Sequence, residues 1–415
     1  MNNNSYSAAV AFGSPLLFFN RIAIFMVLVI LHGCATVVQR NPVPEQAVGQ
    51  AQIPGIPDAR FWGDEIPPNV LDMVEESVDR QTAAGLLYDA SGHSKPANYL
   101  ALSGGGADGA FGAGLLNGWT DAGTRPQFVI VTGTSTGALI APFAYMGPQH
   151  DQQLKEFYTT ISTRDILKPK RMFNIFGADS VSDISPLKAL LEKYIDEEFL
   201  QGIAREHAKG RFLLIGTTNL DAQRPVIWNM GKIAASNHPD AARLFRNIMI
   251  ASAAIGAAFP PSYLEVEVEG KRYDEMHVDG GTTSQVFLYP LALDIKTLGK
   301  QIGLRRDRSV YVIGNMRITP EWDAVAPRLV RIAERSILTL IKTQGIGDLY
   351  RIFLGAKRDK IDYNVAYISD DFEESSEEPF DLAYMRKLFD YAYSLAKDGY
   401  PWLKVPPGFE PPPAN

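Results

Sequence analysis

Between Val129 and Ile140 the chain reads Val-Ile-Val-Thr-Gly133-Thr-Ser135-Thr-Gly137-Ala-Leu-Ile. A β-branched apolar run enters a Gly-x-Ser-x-Gly turn and a helical apolar pattern leaves it, which is the strand–turn–helix context of a nucleophile elbow. Such a turn places its serine at the apex in a backbone conformation that most residues avoid. Gly133 and Gly137 stand two residues either side of Ser135, where a Cβ would crowd the crossing of strand and helix. The Ser135 hydroxyl then points out of the sheet, beside the positive end of the following helix. Gly-x-Ser-x-Gly alone also describes any glycine-rich turn, so the flanks carry the inference.

A serine nucleophile needs donors for the oxyanion it creates and an acceptor for its proton. A first strand, Asn98-Tyr-Leu-Ala-Leu102, runs into Ser103-Gly104-Gly105-Gly106-Ala107-Asp108-Gly109 and then an apolar helix through about Trp119. The N–H groups of Gly104, Gly105 and Gly106 can converge on one concavity, suited to an oxyanion or to a phosphate. Against a nucleotide, no lysine follows the glycines, and the spacing fails the dinucleotide pattern. Six histidines are available as bases: His32, His93, His150, His207, His238 and His277. None is flanked by the apolar strand end expected of a catalytic histidine. Asp279 closes a short strand within Asp279-Gly280-Gly281, and a desolvated carboxylate can take the serine proton directly. The same tripeptide also reads as an ordinary turn. His277, two residues earlier, is either a third partner or a structural histidine.

The remaining pattern alternates strands with helices. Strands are expected at 211–218, 225–230, 262–268, 271–274 and 309–314, and helices at 68–84, 151–160, 186–208, 241–254, 325–342 and 381–397. Such alternation predicts an α/β fold with a mostly parallel sheet covered on both faces. The run Asp370 to Glu378 reads as a solvated acidic loop, and the chain from Pro406 as a Pro-rich tail. With 46% hydrophobic and 21% charged residues, the 415-residue chain has a globular composition. Its net charge of −7 offers no basic field to nucleic acid, so a phosphate-backbone partner is excluded.

The single cysteine, Cys34, rules out an intramolecular disulfide. Arg21 precedes an apolar run, Ile22 to Leu31, too short to span a bilayer and right for a signal-peptide core. Leu31-His32-Gly33-Cys34 resembles the lipobox of bacterial lipoproteins, in which the cysteine is lipidated. A signal anchor with an incidental cysteine is the alternative. Residues 35–60, with Pro42, Pro44, Pro54 and Pro57, read as an extended tether. The expected division is a signal peptide over 1–34, a tether and N-terminal extension over 35–95, a catalytic core over 96–295, and an extension over 296–415 that completes the domain.

Four ordered motifs carry a resemblance. Gly104-Gly105-Gly106-x-x-Gly109, Gly133-x-Ser135-x-Gly137, Ala251-Ser-Ala-Ala-Ile-Gly-Ala-Ala-Phe-Pro-Pro261 and Asp279-Gly280-Gly281 resemble the patatin-like phospholipase family over about residues 97–290. The resemblance implies a three-layer α/β/α sandwich with a central, mainly parallel sheet. It implies acyl-ester hydrolysis on lipids by a Ser135–Asp279 dyad with no metal or other cofactor, Gly104 to Gly106 forming the oxyanion loop. Three positions depart from the family. Asp108 stands where Arg or Lys is common and would repel an anionic head group. Ser103 replaces an aspartate, and Gly256 a proline.

The expected protein is therefore a lipid acyl hydrolase held by lipidated Cys34 in a bacterial envelope, at the outer membrane and facing the periplasm. A non-catalytic lipid- or protein-binding module on the same fold and a soluble-ester esterase or thioesterase are the alternatives. The apolar stretch Arg171 to Phe176 suits either a membrane-contacting lid or buried loop packing. Protein partners are not specified by the sequence.

Overall fold

The computed structural model describes residues 39–169, 182–255 and 259–410. The signal segment with Cys34, the stretch 171–176 and Gly256 lie outside the described residues. The elements named below belong to one compact unit, Asn41–Lys170 and Asp179–Asn415.

A nine-stranded mixed sheet forms the middle layer. Its strands are β1 (Arg60–Trp62), β2 (Ala97–Leu102), β3 (Phe128–Thr134), β4 (Phe212–Asn219), β5 (Arg224–Asn229), β6 (Ser262–Val268), β7 (Lys271–Asp279), β8 (Arg308–Arg317) and β9 (Asp362–Ile368). The main path runs β1-β5-β4-β3-β2-β8-β9, with β7 pairing β4 and β6 pairing β7. From β4 through β3, β2 and β8 to β9 every pairing is parallel, and β1, β5, β6 and β7 are joined antiparallel.

Strand alternation explains the three layers. In β2, Leu100 and Leu102 join one buried cluster, while Tyr99 and Ala101 join another, because successive side chains leave opposite faces of a strand. The first cluster packs the sheet against α2 (Gly109–Asp121), α3 (Thr136–Met146), α4 (Ala241–Ser252) and α6 (Leu382–Lys397). The second packs it against the C-terminal half of α5 (Leu329–Asp359), through Leu349, Ile352 and Phe353. Helices thus cover both faces of a mostly parallel sheet, the α/β/α sandwich expected from the sequence.

Residues 41–62 are not an extended tether. Ala51, Ile53, Ile56 and Ala59 are buried, Gln52 exchanges backbone bonds with Glu267, and β1 pairs antiparallel with β5. The apolar residues between the prolines have a sheet edge to cover, which their Pro-rich setting conceals in the sequence. The next helix, α1 (Val70–Ala83), buries Ser77 and Gln81 rather than Leu71, which is exposed. The helix expected at 186–208 breaks at Ile195, and Asp196 caps its second half by accepting from Phe199 N at 2.8 Å. Beyond residue 296 the chain supplies β8, which inserts beside β2, and β9 next to it.

Candidate active site

Register alone gathers the site. Leu102 lies opposite Gly133, Thr134 opposite Gly216, and Thr217 opposite Asp279. The glycine loop after β2, the elbow after β3 and the aspartate ending β7 therefore meet at one edge, where open parallel sheets place their ligands.

At that edge the Ser135 Oγ donates to Asp279 Oδ2 over 2.7 Å, and both residues are 6% exposed. Ser135 sits at φ 54°, ψ −124°, a conformation costly for a non-glycine residue. Packing over-determines it. A Cβ on Gly133 would come 2.4 Å from the Gly137 carbonyl oxygen, and one on Gly137 2.3 Å from that of Leu102. The strand and helix legs of the elbow touch backbone to backbone, so neither glycine can carry a side chain. Ser252 Oγ completes the clamp by accepting from Ser135 N at 3.0 Å and donating to Gly216 O at 2.6 Å.

Asp279 is held from its other oxygen, Oδ1, which accepts from Gly281 N at 2.7 Å. Burial pushes its carboxyl up to about 7, opposed by the bonds from Ser135 and Gly281. A carboxyl titrating there is half ionised near neutrality, the condition a general base requires.

The glycine loop differs from expectation at one member. Gly104 N–H donates to the Gln285 carbonyl at 3.0 Å, so Gly104 packs the loop and has no N–H to offer an oxyanion. The N–H groups of Gly105 and Gly106 have no acceptor among the described residues, and both glycines line the cleft above Ser135. Gly106 adopts φ +58° with open space where its Cβ would be, whereas a Cβ on Gly105 would lie 1.9 Å from the Asn315 carbonyl oxygen. Two residues that carried no motif hold this loop. Asn315 N donates to Ser103 Oγ at 2.8 Å and its Nδ2 to Ser103 O at 2.9 Å, while Ser103 Oγ donates to Gly104 O at 2.7 Å. Gln285 links the loop to the Asp279 turn, its Nε2 donating to Gly281 O at 3.3 Å. Ser103, in the place of the more usual aspartate, is thus a fully buried bracket on the loop.

His277 is no partner of the dyad. It is completely buried, with Nδ1 bonded to Thr217 Oγ1 at 2.9 Å and Nε2 to Glu275 Oε2 at 3.0 Å, and Glu275 pairs with Arg60. Burial lowers its pKa, so the ring is a neutral structural element. Asp108 lines the cleft but does not present a bare carboxylate. Tyr384 donates to it at 2.5 Å, and desolvation pushes it up to about 6.

The cleft over the dyad encloses about 1420 Å³. Leu220, Ile255, Val278, Ile337, Leu338 and Ile341 give it an apolar wall, and Arg331, Arg351, Glu377 and Glu378 are among its charged lining residues. Those two glutamates belong to the acidic run expected to be merely solvated. Among the described residues, no three His, Cys, Asp or Glu side chains converge on a point that could hold a metal ion.

Residues 100–292 match the family model of the patatin-like phospholipases. No curated protein matches the chain. Among solved structures it is similar to VipD from Legionella pneumophila, at 12% identity and a TM-score of 0.34, over 75% of this chain and 69% of that one.

Proposed function

Because the chain carries a patatin-like phospholipase domain over residues 100–292, we propose that it hydrolyses the acyl esters of lipids through an acyl-enzyme on Ser135, with Asp279 as its base. Ser135 Oγ attacks the ester carbonyl as its proton passes to Asp279 Oδ2, 2.7 Å away. The carbonyl oxygen becomes an oxyanion, met by the N–H groups of Gly105 and Gly106 and by the first turn of α3. Collapse of the tetrahedral intermediate expels the alcohol, which takes the proton back from Asp279. Water then attacks the acyl-serine with Asp279 again accepting a proton, and the fatty acid leaves as Ser135 is re-protonated.

The observation that carries this reading is the strained, buried Ser135 bonded to a carboxyl raised to about 7. A catalytically silent binding module has no need of that strain. The apolar wall and the volume of the cleft favour long-chain lipid over small soluble esters. Attachment to a membrane through lipidated Cys34 is part of the proposal, supported by the apolar run and the Leu-His-Gly-Cys34 sequence. Several acyl chains on one cysteine would make that attachment stable.

A fluorophosphonate probe tests the chemistry. Covalent labelling of the wild type at Ser135, absent from Ser135→Ala, with turnover lost in Ser135→Ala and Asp279→Asn, is the expected result. An unlabelled wild type that hydrolyses no ester in a panel of phospholipids, neutral lipids and short-chain esters would sink the hydrolase reading.

A further inference from the structure

Among the described side chains, the first four turns of α5 bury almost nothing. Trp322, on the segment leading into the helix, is 90% exposed, Leu329 84% and Leu340 70%, and Ile332, Ile337 and Leu338 are exposed as well. Only from Gly345 onward does the helix sink into the sheet layer. Isolated exposed apolar residues are ordinary, but this many on one stretch mark an interaction surface.

At about 100° per residue, Leu329, Ile332 and Leu340 share one side, while Leu338 stands roughly half a turn away and Ile337 between them. A folded protein partner, or a second copy packing helix to helix, selects one continuous stripe and leaves the opposite side polar. Here the exposed apolar residues spread over about two-thirds of the circumference, wider than one stripe, and Arg328, Arg331, Arg335 and Lys342 share the remaining side, as on a helix lying in a membrane interface. Among the described residues no helix is long and apolar enough to cross a membrane, so such a segment would lie in the interface. Charge agrees with this. Along 321–342, Arg328, Arg331, Arg335 and Lys342 outnumber Glu321, Asp323 and Glu334, on a chain whose net charge is −7. Arg331 pairs with Asp323 at 3.5 Å and Lys342 with Glu321 at 3.1 Å, which fixes the Trp322 segment beside the helix. Ile337, Leu338, Leu340 and Ile341 also line the cleft that holds Ser135, so the surface is continuous with the mouth of the site.

We infer that Trp322 and the N-terminal half of α5 form a docking element that inserts shallowly into a bilayer bearing anionic head groups and presents the cleft to it. This deepens the lipid-hydrolase reading and rests on it for the role of the cleft, although docking itself requires no chemistry. A lipid leaving the bilayer would then slide its acyl chains along apolar side chains without crossing open water, where every exposed CH₂ is unfavourable.

The test uses the full chain with Cys34→Ser, so that Leu329→Cys carries the one thiol, labelled with an environment-sensitive fluorophore. Vesicles of phosphatidylcholine with one-third phosphatidylglycerol should shift its emission to the blue, and nitroxide-labelled acyl chains should quench it. No shift on these vesicles overturns the proposal. So does a shift that grows with protein concentration in their absence, because a second copy would then cover the helix. In a second arm, Trp322→Ser/Leu329→Ser/Ile332→Ser should lose at least about tenfold in turnover of vesicle lipid. Its turnover of a water-soluble short-chain ester should be unchanged, and an equal loss on both substrates would overturn the docking role. A wild type that turns over neither substrate would sink the hydrolase reading, while the fluorescence result would still decide docking.

Discussion

The floor and the wall of the cleft are built on opposite principles. On the floor, polar groups are buried and almost all are bonded, and Ser135 is held in a conformation it would not choose. On the wall, Trp322 and the leucines and isoleucines in the first turns of α5 are exposed to solvent, and the described side chains there bury almost nothing. The floor spends folding energy on geometry, as preorganised charge stabilisation requires. The wall leaves apolar surface uncovered, which is unfavourable in water and useful only beside another apolar phase. Substitutions on the floor should therefore alter chemistry and stability together. Those on the exposed helix should alter neither unless a lipid surface is present.

The sharpest test of the floor is the dyad itself. Ser135→Ala should lower kcat/KM by at least about 10⁴, with Asp279→Asn close behind, since members of such a unit fail together. A loss of less than about tenfold in Asp279→Asn would move the base elsewhere. The pH dependence carries its own sign. With Asp279 raised to about 7, kcat/KM should climb about tenfold per pH unit below that value and level off above it. Stability should run the other way. Between about 4 and 7 the native state holds a proton that the unfolded state has released, so this carboxyl's contribution to stability is lost as pH rises through 7. Asp279→Asn should erase that decline, so its melting temperature should exceed that of the wild type at pH 8. A wild-type melting temperature that rises over the same window would contradict the raised carboxyl.

Next in size is Gly105→Ala. Its Cβ would meet the Asn315 carbonyl oxygen at 1.9 Å, so the loop must move. A cost of roughly 3 kcal/mol in stability and about a hundredfold in kcat is expected if the displaced N–H groups are the oxyanion donors, as proposed. Gly106→Ala meets open space and should cost about 1 kcal/mol, from its positive φ alone. Equal effects at the two glycines, measured by urea unfolding and initial rates, would mean that loop position is unimportant.

How much of this was legible in the sequence follows from the range of the forces involved. The elbow, the glycine loop and Asp279 are written in local pattern, because turns and helix starts are fixed within a few residues. Their convergence follows from parallel pairing, which the alternation of strands and helices implies. What stayed hidden depends on distant partners. Gln285 lies in a polar loop, and nothing in its neighbourhood says that its carbonyl takes up the Gly104 N–H. Asn315 sits in a strand end, and its bracket on Ser103 spans more than two hundred residues. Strand β9, Asp362-Tyr-Asn-Val-Ala-Tyr-Ile368, is short and interrupted by a polar side chain, and is a strand because β8 lies beside it. Helix α5 runs past Gly345 and Gly347, where the local pattern stops, because its C-terminal half is paid for by the second apolar cluster. Ser252 is the intermediate case. It stands in a segment quoted for its resemblance, yet its bond to the Ser135 N–H needs the fold to be seen.

Removing that hydroxyl isolates what the clamp contributes. Ser252→Ala leaves a buried N–H and a buried carbonyl without partners, which should cost about 1–3 kcal/mol in stability. If the clamp also aims Ser135, kcat should fall about tenfold, one hydrogen bond's worth, with KM unchanged. A loss of stability with wild-type kcat would reduce Ser252 to a packing role.

The smallest effect should have the opposite sign. Thr134 Oγ1 is fully buried, one residue from Ser135, and has no hydrogen-bond partner among the described residues. Its side chain lines a separate cavity with Gly216, Thr217 and Gly280, not the cleft over Ser135. Val has nearly the shape of Thr without the hydroxyl, so Thr134→Val removes an unsatisfied group and leaves the packing between Gly216 and Gly280 intact. The variant should gain up to about 1 kcal/mol in urea unfolding. If the hydroxyl were only an unpaired group, kcat would stay within a factor of two. A fall in kcat alongside that gain would mean that Thr134 helps to hold its neighbour Ser135 in place through the backbone. The contrast between a bonded floor and an open wall would then have to take in this buried side chain beneath it.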